Sequence, residues 1–498
     1  MKIEYEKNRR PGTVIVAGTG NAALSAAIAA REKGAIVRVF DMADYANRGG
    51  NSRLTAAVLR IALNAPDKVE QLIQKSLSHN VEIEPYGPDR YFSEATASGK
   101  VDEQLIRWIV QNSHSTMLWL VQHGVELELS DHTYSTAARS GQQIYSGGLI
   151  LQARGEGEGL INAELRILDD MGGMVQYESR VVDLIRSDQS GAVIGACIED
   201  AHGKQWREYG KVILGSGGFE SNREMVKEHL GELFAGLKQR CVRFNTGLMI
   251  QKSLAIGARP YGHWQGCHCS PIDVNAPSSA DPTIKELTNR ISFIAGIVVN
   301  REGKRFTDEG VNYPPKCYVG VALDTVHQTD QMGFQIFDQK GIPYLDNYYS
   351  AHGSTRREAM TLQELARKSG IDPSNLIKTV EAFNNACRKY SHLDYTFETL
   401  DHCQTDGLTP PKSNWARPVE EPPYVVYPYT AGITYTFGGL KVNQHAQVLD
   451  CHDQVIEGLY ACGEAVGGVN HMPFYIAGQG LVKGAVTGMY AGHHAAMS

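Results

Sequence analysis

Residues 13–41, TVIVAGTGNAALSAAIAAREKGAIVRVFD, decide the fold. A β-branched apolar run leads into a glycine turn, an alanine-rich stretch, Gly34 as a stop, and a second apolar run. Short apolar runs bounded by turns read as buried strands, and the segment between them has helical length and composition, so the unit is β-α-β. Gly18, Gly20 and Ala23 match G-x-G-x-x-A at the first turn, with Asn21 and Ala22 between them. Glycines there permit a tight turn and let a pyrophosphate approach the helix N-terminus. Asp41 follows Gly20 by 21 residues, at the end of the second strand, where a carboxylate accepts hydrogen bonds from a ribose. A dinucleotide is expected, and at this point NAD and FAD both fit.

Composition narrows the rest. The chain has 498 residues, 42% of them hydrophobic, enough for a large core divided over two or more domains. Its formal charge of -7 makes no field attractive to nucleic acid or anionic lipid, and neither is expected as a partner. Nine scattered cysteines do not form a secreted disulfide framework. The opening MKIEYEKNRRPG has no apolar core of signal-peptide type, and no apolar run approaches the ~18 residues of a membrane span. A cytoplasmic protein without an integral membrane segment is expected. Cys267 and Cys269 flank His268 without a second ligand pair, so no metal is expected.

The first half is α/β in texture, with a helical pattern at 101–124 and β-like runs from Val193 to the GSGGF segment. From about 250 to 430 it changes to Pro/Ser/Asp-rich loops, the strand candidate FIAGIVVN and two helical segments at 362–368 and 375–390. From Gly432 the β-runs and glycine turns return, and GAVTGMYAGHHAA reads as a final helix. The division expected is a dinucleotide-binding domain from 1–248 and 431–498, with a capping or substrate domain at 249–430.

RGGNSRLTAA, residues 48–57, follows the second strand and resembles the second FAD segment of the fumarate reductase/succinate dehydrogenase flavoprotein superfamily. GKRFTDEG (303–310), LQELARKSGID with LIKTVEAFNNA, and GGLKVNQHAQVLD with GLYACGEAVGG (438–468) resemble its capping and C-terminal FAD segments in the family's order. The tricarballylate dehydrogenase branch is the nearest in pattern. The resemblance implies a Rossmann-like, glutathione reductase-type FAD domain with an inserted α+β cap, and an FAD-dependent oxidoreductase acting on CH-CH groups. Gly18, Gly20, Asn21, Ala22, Ala23 and Asp41 would hold the ADP half. Gly49, Gly50, Asn51, Ser52, Ala56 and Ala57 would line the phosphates and flavin edge, with Val181 at the adenine. Gly217 and Gly218 would pass close to FAD, Glu464 would meet ribityl or ribose hydroxyls, and Gly480 and Leu481 would lie by the isoalloxazine. Asn51 takes the place of the histidine that binds FAD covalently in membrane-bound members, so non-covalent FAD is expected.

Desaturation removes a proton from one carbon and a hydride from its neighbour, and needs groups that polarise an adjacent carbonyl. By the resemblance His268 is a substrate-binding histidine, with His263 as its substitute. Counting from GKRF puts Tyr313 at the proton-transfer arginine; Tyr435 in GITYTFGGL and Tyr475 in PFYIAGQGL take the places of a second histidine and another arginine. Tyrosine, with pKa ~10, donates hydrogen bonds but does not neutralise a dicarboxylate. The tyrosines at 313 and 475 also resemble those of 3-ketosteroid dehydrogenases. Arg290 is the candidate for a carboxylate. The activity implied is desaturation of a C-C bond α,β to a carbonyl or carboxylate in a tricarballylate-like substrate. The alternatives are an enoate or enone reductase, a dehydrogenase of neutral ketones, and a non-catalytic flavin protein. A separate electron acceptor or donor protein is left open.

Overall fold

The computed structural model describes residues 12–130, 136–139, 142–145, 147–281, 283–351, 353–397 and 399–498. Its first sheet is built on the strand Thr13–Ala17, every residue of which is buried. Such a run, apolar on both faces, suits the centre of a parallel sheet covered on both sides. Its parallel neighbours are Ile36–Phe40 on one side and Lys211–Leu214 on the other. Met174–Gln176 extends the sheet beyond Ile36–Phe40, and Val455–Ala461 and then Gln447–Leu449 extend it beyond Lys211–Leu214. Only the last pairing is antiparallel. An antiparallel meander, Ser179–Arg186, Val193–Asp200 and Gln205–Tyr209, follows directly.

The helix Asn21–Glu32 is buried along most of its length and packs on the final helix, Gln479–Met497. Small residues make the approach possible: a Cβ at Gly488 would stand 2.2 Å from Ala22 O, and one at Gly492 2.1 Å from Ala26 O. The contact brings the end of the chain back against its beginning, at the carboxyl ends of the parallel strands. Ligands bind at that end of open α/β sheets.

The second sheet centres on the 17-residue strand Tyr424–Leu440, which runs through position 430. Met332–Phe337 and then Ile297–Val299 pair antiparallel on one side, and the 14-residue strand Pro260–Asp273 pairs on the other. Leu365, Leu376, Val380 and Phe383, from the helices Leu362–Ser369 and Pro373–Cys387, form a separate core with Ile297 and Phe334. The two longest strands connect this sheet to the first body. Their register slips between Gly262 and Cys267 and again after His268, a bulged geometry that re-aims side chains.

Candidate active site

One continuous cavity runs from the turn after Thr13–Ala17 to an aromatic cluster at the junction of the two sheets. At its first end Gly18 has φ +101°, and a Cβ there would be 2.6 Å from Gly215 O, so only glycine fits. Gly20 is the N-cap of Asn21–Glu32 and supplies no side-chain cap, which leaves helix amides turned to the cavity. Asn21 N-H donates to Ser52 Oγ at 3.2 Å, which holds the short helix Gly50–Arg53 against that terminus. Asp41 closes the end, accepting from the Thr19 hydroxyl and from Ala43 N-H at 2.8 Å. Its burial raises its pKa, against those two hydrogen bonds.

Of the residues expected at a cofactor, Gly18, Gly20, Asn21, Ala22 and Asp41 line the first end. Gly50, Asn51, Ser52, Ala56 and Ala57 line the middle, Val181 lies beside Asp41, and Gly217, Glu464, Gly480 and Leu481 complete the wall. Three stand behind it. Ala23 packs under Gly215, whose Cβ would meet Ala23 Cα at 2.8 Å. Gly49 donates its N-H to Thr19 Oγ1 at 3.0 Å, and Gly218 donates to Glu464 Oε2 at 3.2 Å. Their role is to shape the lining.

Beneath the middle of the cavity lies a buried carboxyl pair, Glu220 and Glu464. Asn245 Nδ2 donates to Glu220 Oε1 at 2.6 Å and to Glu464 Oε2 at 3.2 Å, and Asn51 Nδ2 donates to Glu220 Oε1 at 2.9 Å. Burial raises both acids, and the charge of Glu464 raises Glu220 further. Lys483, buried on the final helix, donates to Val466 O at 2.6 Å and is pushed down to about 8 by desolvation.

The far end is aromatic. His268 and Tyr435 face each other across the paired long strands, with rings stacked at 5.2 Å and 10°. Tyr475 meets His268 edge-on at 4.5 Å, and Tyr318, on the helix Pro314–Val326, is hydrogen-bonded to His268 Nε2. The rings of Tyr318 and Tyr435 both lie edge-on to that of Tyr475, at 6.1 and 6.0 Å, and Asn470 Nδ2 donates to Tyr435 Oη at 3.1 Å. The bond between His268 Nε2 and the Tyr318 hydroxyl runs in either direction according to the imidazole tautomer, and Nδ1 is buried with no partner. Burial, with a further push from Arg240, lowers His268 to about 3, so it is neutral at physiological pH. Tyr475 lines the cavity beside His268, Tyr318 and Tyr435.

His268, Tyr435 and Tyr475 thus come together as expected, and three other candidates do not join them. Tyr313 caps the helix Pro314–Val326, and its ring packs on Trp415 at 5.6 Å, away from the cavity wall. The two prolines start the helix at 314, and one further turn brings Pro315 and Tyr318 to the cavity in its place. Arg290 is buried in an ion pair with Asp273 at 2.7 Å and also donates to Asn289 O and Tyr348 O, so its donors are committed away from the cavity. His263 stacks on His471 at 3.8 Å and accepts from Met472 N-H, behind the wall, with burial lowering it to about 4. The residues missed are Tyr318, Arg240, Tyr348 and Glu286, all on the wall. The prolines before Tyr318 were the one available signal. Among the described residues no group of three His, Cys, Asp or Glu side chains is placed to hold a metal.

The model of the FAD binding domain family matches residues 13–481. The chain belongs to that family. It is 26% identical over 478 residues to urocanate reductase from Eggerthella lenta, covering 91% of this chain and 70% of that protein. It is 31% identical over 341 residues to 3-oxosteroid 1-dehydrogenase from Mycolicibacterium smegmatis, covering 62% of this chain and 57% of that one. A flavocytochrome c3 fumarate reductase in its open conformation superposes with a TM-score of 0.72 at 22% identity, over 100% of this chain and 81% of the other. This flavoprotein is therefore a member of the fumarate reductase/succinate dehydrogenase superfamily, an FAD-dependent oxidoreductase of the CH-CH class. The cavity fits the cofactor. It has helix amides and an acid at one end and a flat-walled aromatic end at the other. A Cβ at Gly480 would meet only Tyr435 Oη, at 3.9 Å, so that wall is left bare for a planar ring. Among the described residues no helix is long and apolar enough to cross a membrane.

Proposed function

We propose that this flavoprotein oxidises or reduces a C-C bond conjugated with a carbonyl, and that it recognises the carbonyl by neutral hydrogen-bond donors. The observation that carries this reading is the Tyr475 hydroxyl. It lines the cavity among the rings of His268, Tyr318 and Tyr435, and burial raises its pKa, so it is a neutral O-H facing no nearby charge of its own cluster. A neutral hydroxyl held in a buried aromatic wall is a fixed donor for a carbonyl that is becoming an enolate. FAD, held by the lining from Gly18 to Leu481, supplies the hydride acceptor or donor.

The remaining steps belong to the chain. Tyr475 polarises the carbonyl and makes the α-hydrogen acidic. Tyr318 takes the relay role expected of Tyr313, receiving the α-proton as its own hydroxyl proton passes to His268 Nε2, the base it is hydrogen-bonded to. Tyr435 and neutral His268 fix the geometry, and the cap excludes water. A tricarballylate-like substrate fits poorly, since among the described residues the one guanidinium on the aromatic side of the wall, Arg240, is already paired with Glu286. A ketone or enone is favoured. The residues serve both directions, and the two relatives named above, a reductase and a dehydrogenase, span them. A separate electron acceptor or donor completes the cycle.

FAD is held without a covalent bond in this reading. Asn51 offers an amide instead of a nucleophilic nitrogen, and the amide already serves Glu220, Thr434 O and Val242 N-H. Acid precipitation should release all the flavin into the supernatant. The catalytic reading is tested by Tyr475→Phe, which removes only the hydroxyl. We expect FAD content to stay and flavin reduction by a carbonyl substrate to slow by about 10²-fold or more, as for loss of one preorganised donor. An unchanged rate would refute it.

A further inference from the structure

The chain leaves the strand Lys211–Leu214 through residues 215–219, and Glu220 follows in the interior, 1% exposed. Its Oε1 accepts from Asn245 Nδ2 at 2.6 Å and from Asn51 Nδ2 at 2.9 Å, whereas Oε2 is buried and has no partner. The Asn51 amide is fixed in that orientation by Val242 N-H, which donates to its Oδ1 at 2.9 Å. Glu464 shares both amides and is served differently. Its Oε2 accepts from Gly218 N-H and from Asn245 Nδ2, each at 3.2 Å, and its Oε1 accepts from Asn51 Nδ2 at 3.4 Å. Glu464 lines the cavity and Glu220 does not. The ammonium of Lys483 stands on the same wall and favours the ionised form of Glu464. Among the described residues no cation stands beside Glu220. The other titratable groups close to it are the thiols of Cys241 and Cys267, which burial keeps un-ionised.

We propose that Glu220 is an un-ionised carboxylic acid and a positioning residue for Glu464, which it keeps as the single carboxylate presented to FAD. The assignment follows from the donors. A buried carboxylate asks for donors at both oxygens, and a charge left without them is costly. Glu464 has donors at both, a peptide N-H among them, and a cation on its wall. Glu220 has donors at one oxygen only, so the bare Oε2 is where the proton sits. Two acids that share the same two amides do not both ionise at ordinary cost, so a proton on one keeps the charge on the other. Glu220 acts through Asn51 and Asn245: its Oε1 holds both amides in place, and the same amides reach Glu464. An ionised Glu464 is a pure acceptor for hydroxyls of the cofactor. FAD also brings an anionic pyrophosphate into the cavity, and one negative charge in the wall repels it less than two. The inference rests on FAD binding and not on the carbonyl chemistry of Tyr475.

The test is the infrared spectrum of the FAD-loaded protein at neutral pH. The carbonyl stretch of an un-ionised glutamate is recognised there by its shift when the glutamate side-chain carboxyls carry heavy carbon. Glu164, buried with Ser25 Oγ donating to it at 3.0 Å, is the glutamate outside the pair that burial also holds un-ionised, and Glu164→Gln removes its band. One such band should remain in Glu164→Gln, and adding Glu220→Gln should remove it. In equilibrium dialysis Glu220→Ala, which strands both amides, should weaken FAD by at least about tenfold, the scale of one lost charge-assisted contact. Glu220→Gln should restore the affinity, while Glu464→Gln should stay weakened. The proposal is overturned if Glu164→Gln shows no un-ionised glutamate, if its band survives Glu220→Gln, if Glu220→Ala holds FAD as tightly as wild type, or if Glu220→Gln loses FAD as Glu464→Gln does. Failure of Glu220→Gln to fold would overturn it too, because that substitution only makes the uncharged state permanent. If Glu220→Ala does not fold, the infrared comparison and Glu220→Gln still decide.

Discussion

The neutral state of His268 has a consequence for stability that the structure sizes. Its ring is buried between Tyr435, Tyr475 and Tyr318 and its pKa is about 3, against 6.5 when exposed. The unfolded chain therefore binds a proton that the folded chain refuses across that whole interval, and folding stability falls as pH drops through it. At ~1.4 kcal/mol per unit, the gap of about three and a half units costs about 5 kcal/mol by pH 3, and about 2 kcal/mol between pH 6.5 and 5. His268→Gln leaves a neutral group of similar reach at the site. Urea unfolding of wild type and variant at pH 7.5 and pH 5.0, followed by tryptophan fluorescence, isolates the contribution. The wild type should lose about 2 kcal/mol more than the variant on acidification. Equal losses would show that His268 titrates normally, and the neutral character assigned to the aromatic site would fall with it.

Three further outcomes follow from the same geometry. Gly18→Ala puts a Cβ 2.6 Å from Gly215 O at φ +101°, so FAD content after purification should drop to near zero; a fully yellow variant would mean that the turn relaxes freely. Tyr318→Phe should slow substrate-driven flavin reduction by at least about tenfold, on the scale of a lost proton-transfer group, while Tyr313→Phe leaves it unchanged, and stopped-flow absorbance would expose the reverse order. Asp41→Ala strands the Thr19 hydroxyl and Ala43 N-H, and should weaken FAD about tenfold or more in equilibrium dialysis without altering the rate of the fully loaded enzyme; unchanged affinity would contradict the ribose role.

The nucleotide half was legible in the sequence because its constraints are local. The glycine turn, the helix start and the acid at Asp41 are short-range features, and their spacing is dictated by backbone geometry. The helix Glu103–His123 shows the same locality, with Asp102 as its cap and Gly124 in the left-handed conformation at its end. Tyr435 and Tyr475 could be placed through motifs that sit beside glycine turns. The aromatic site was less legible because strands and helices far apart in the chain assemble it. A count from GKRF reached Tyr313, yet the helix that begins at Pro314 turns Tyr318 to the cavity. Arg290 read as a free charge, but its partner Asp273 lies on the neighbouring strand Pro260–Asp273, and only tertiary structure joins them. Arg240 carried no sequence signal at all, since only tertiary structure brings it to the cavity wall.

The central claim is that neutral donors in this site act on a bond beside a carbonyl. Its most direct test is anaerobic titration of the FAD-loaded protein with a saturated cyclic ketone, succinate and tricarballylate, with the ~450 nm flavin band followed throughout, and of the dithionite-reduced protein with the corresponding unsaturated partners. The account predicts that the ketone bleaches the band, or its enone restores it, while the di- and tricarboxylate pairs leave it unmoved. Bleaching by succinate or tricarballylate alone would contradict the account and return the site to charge-based recognition.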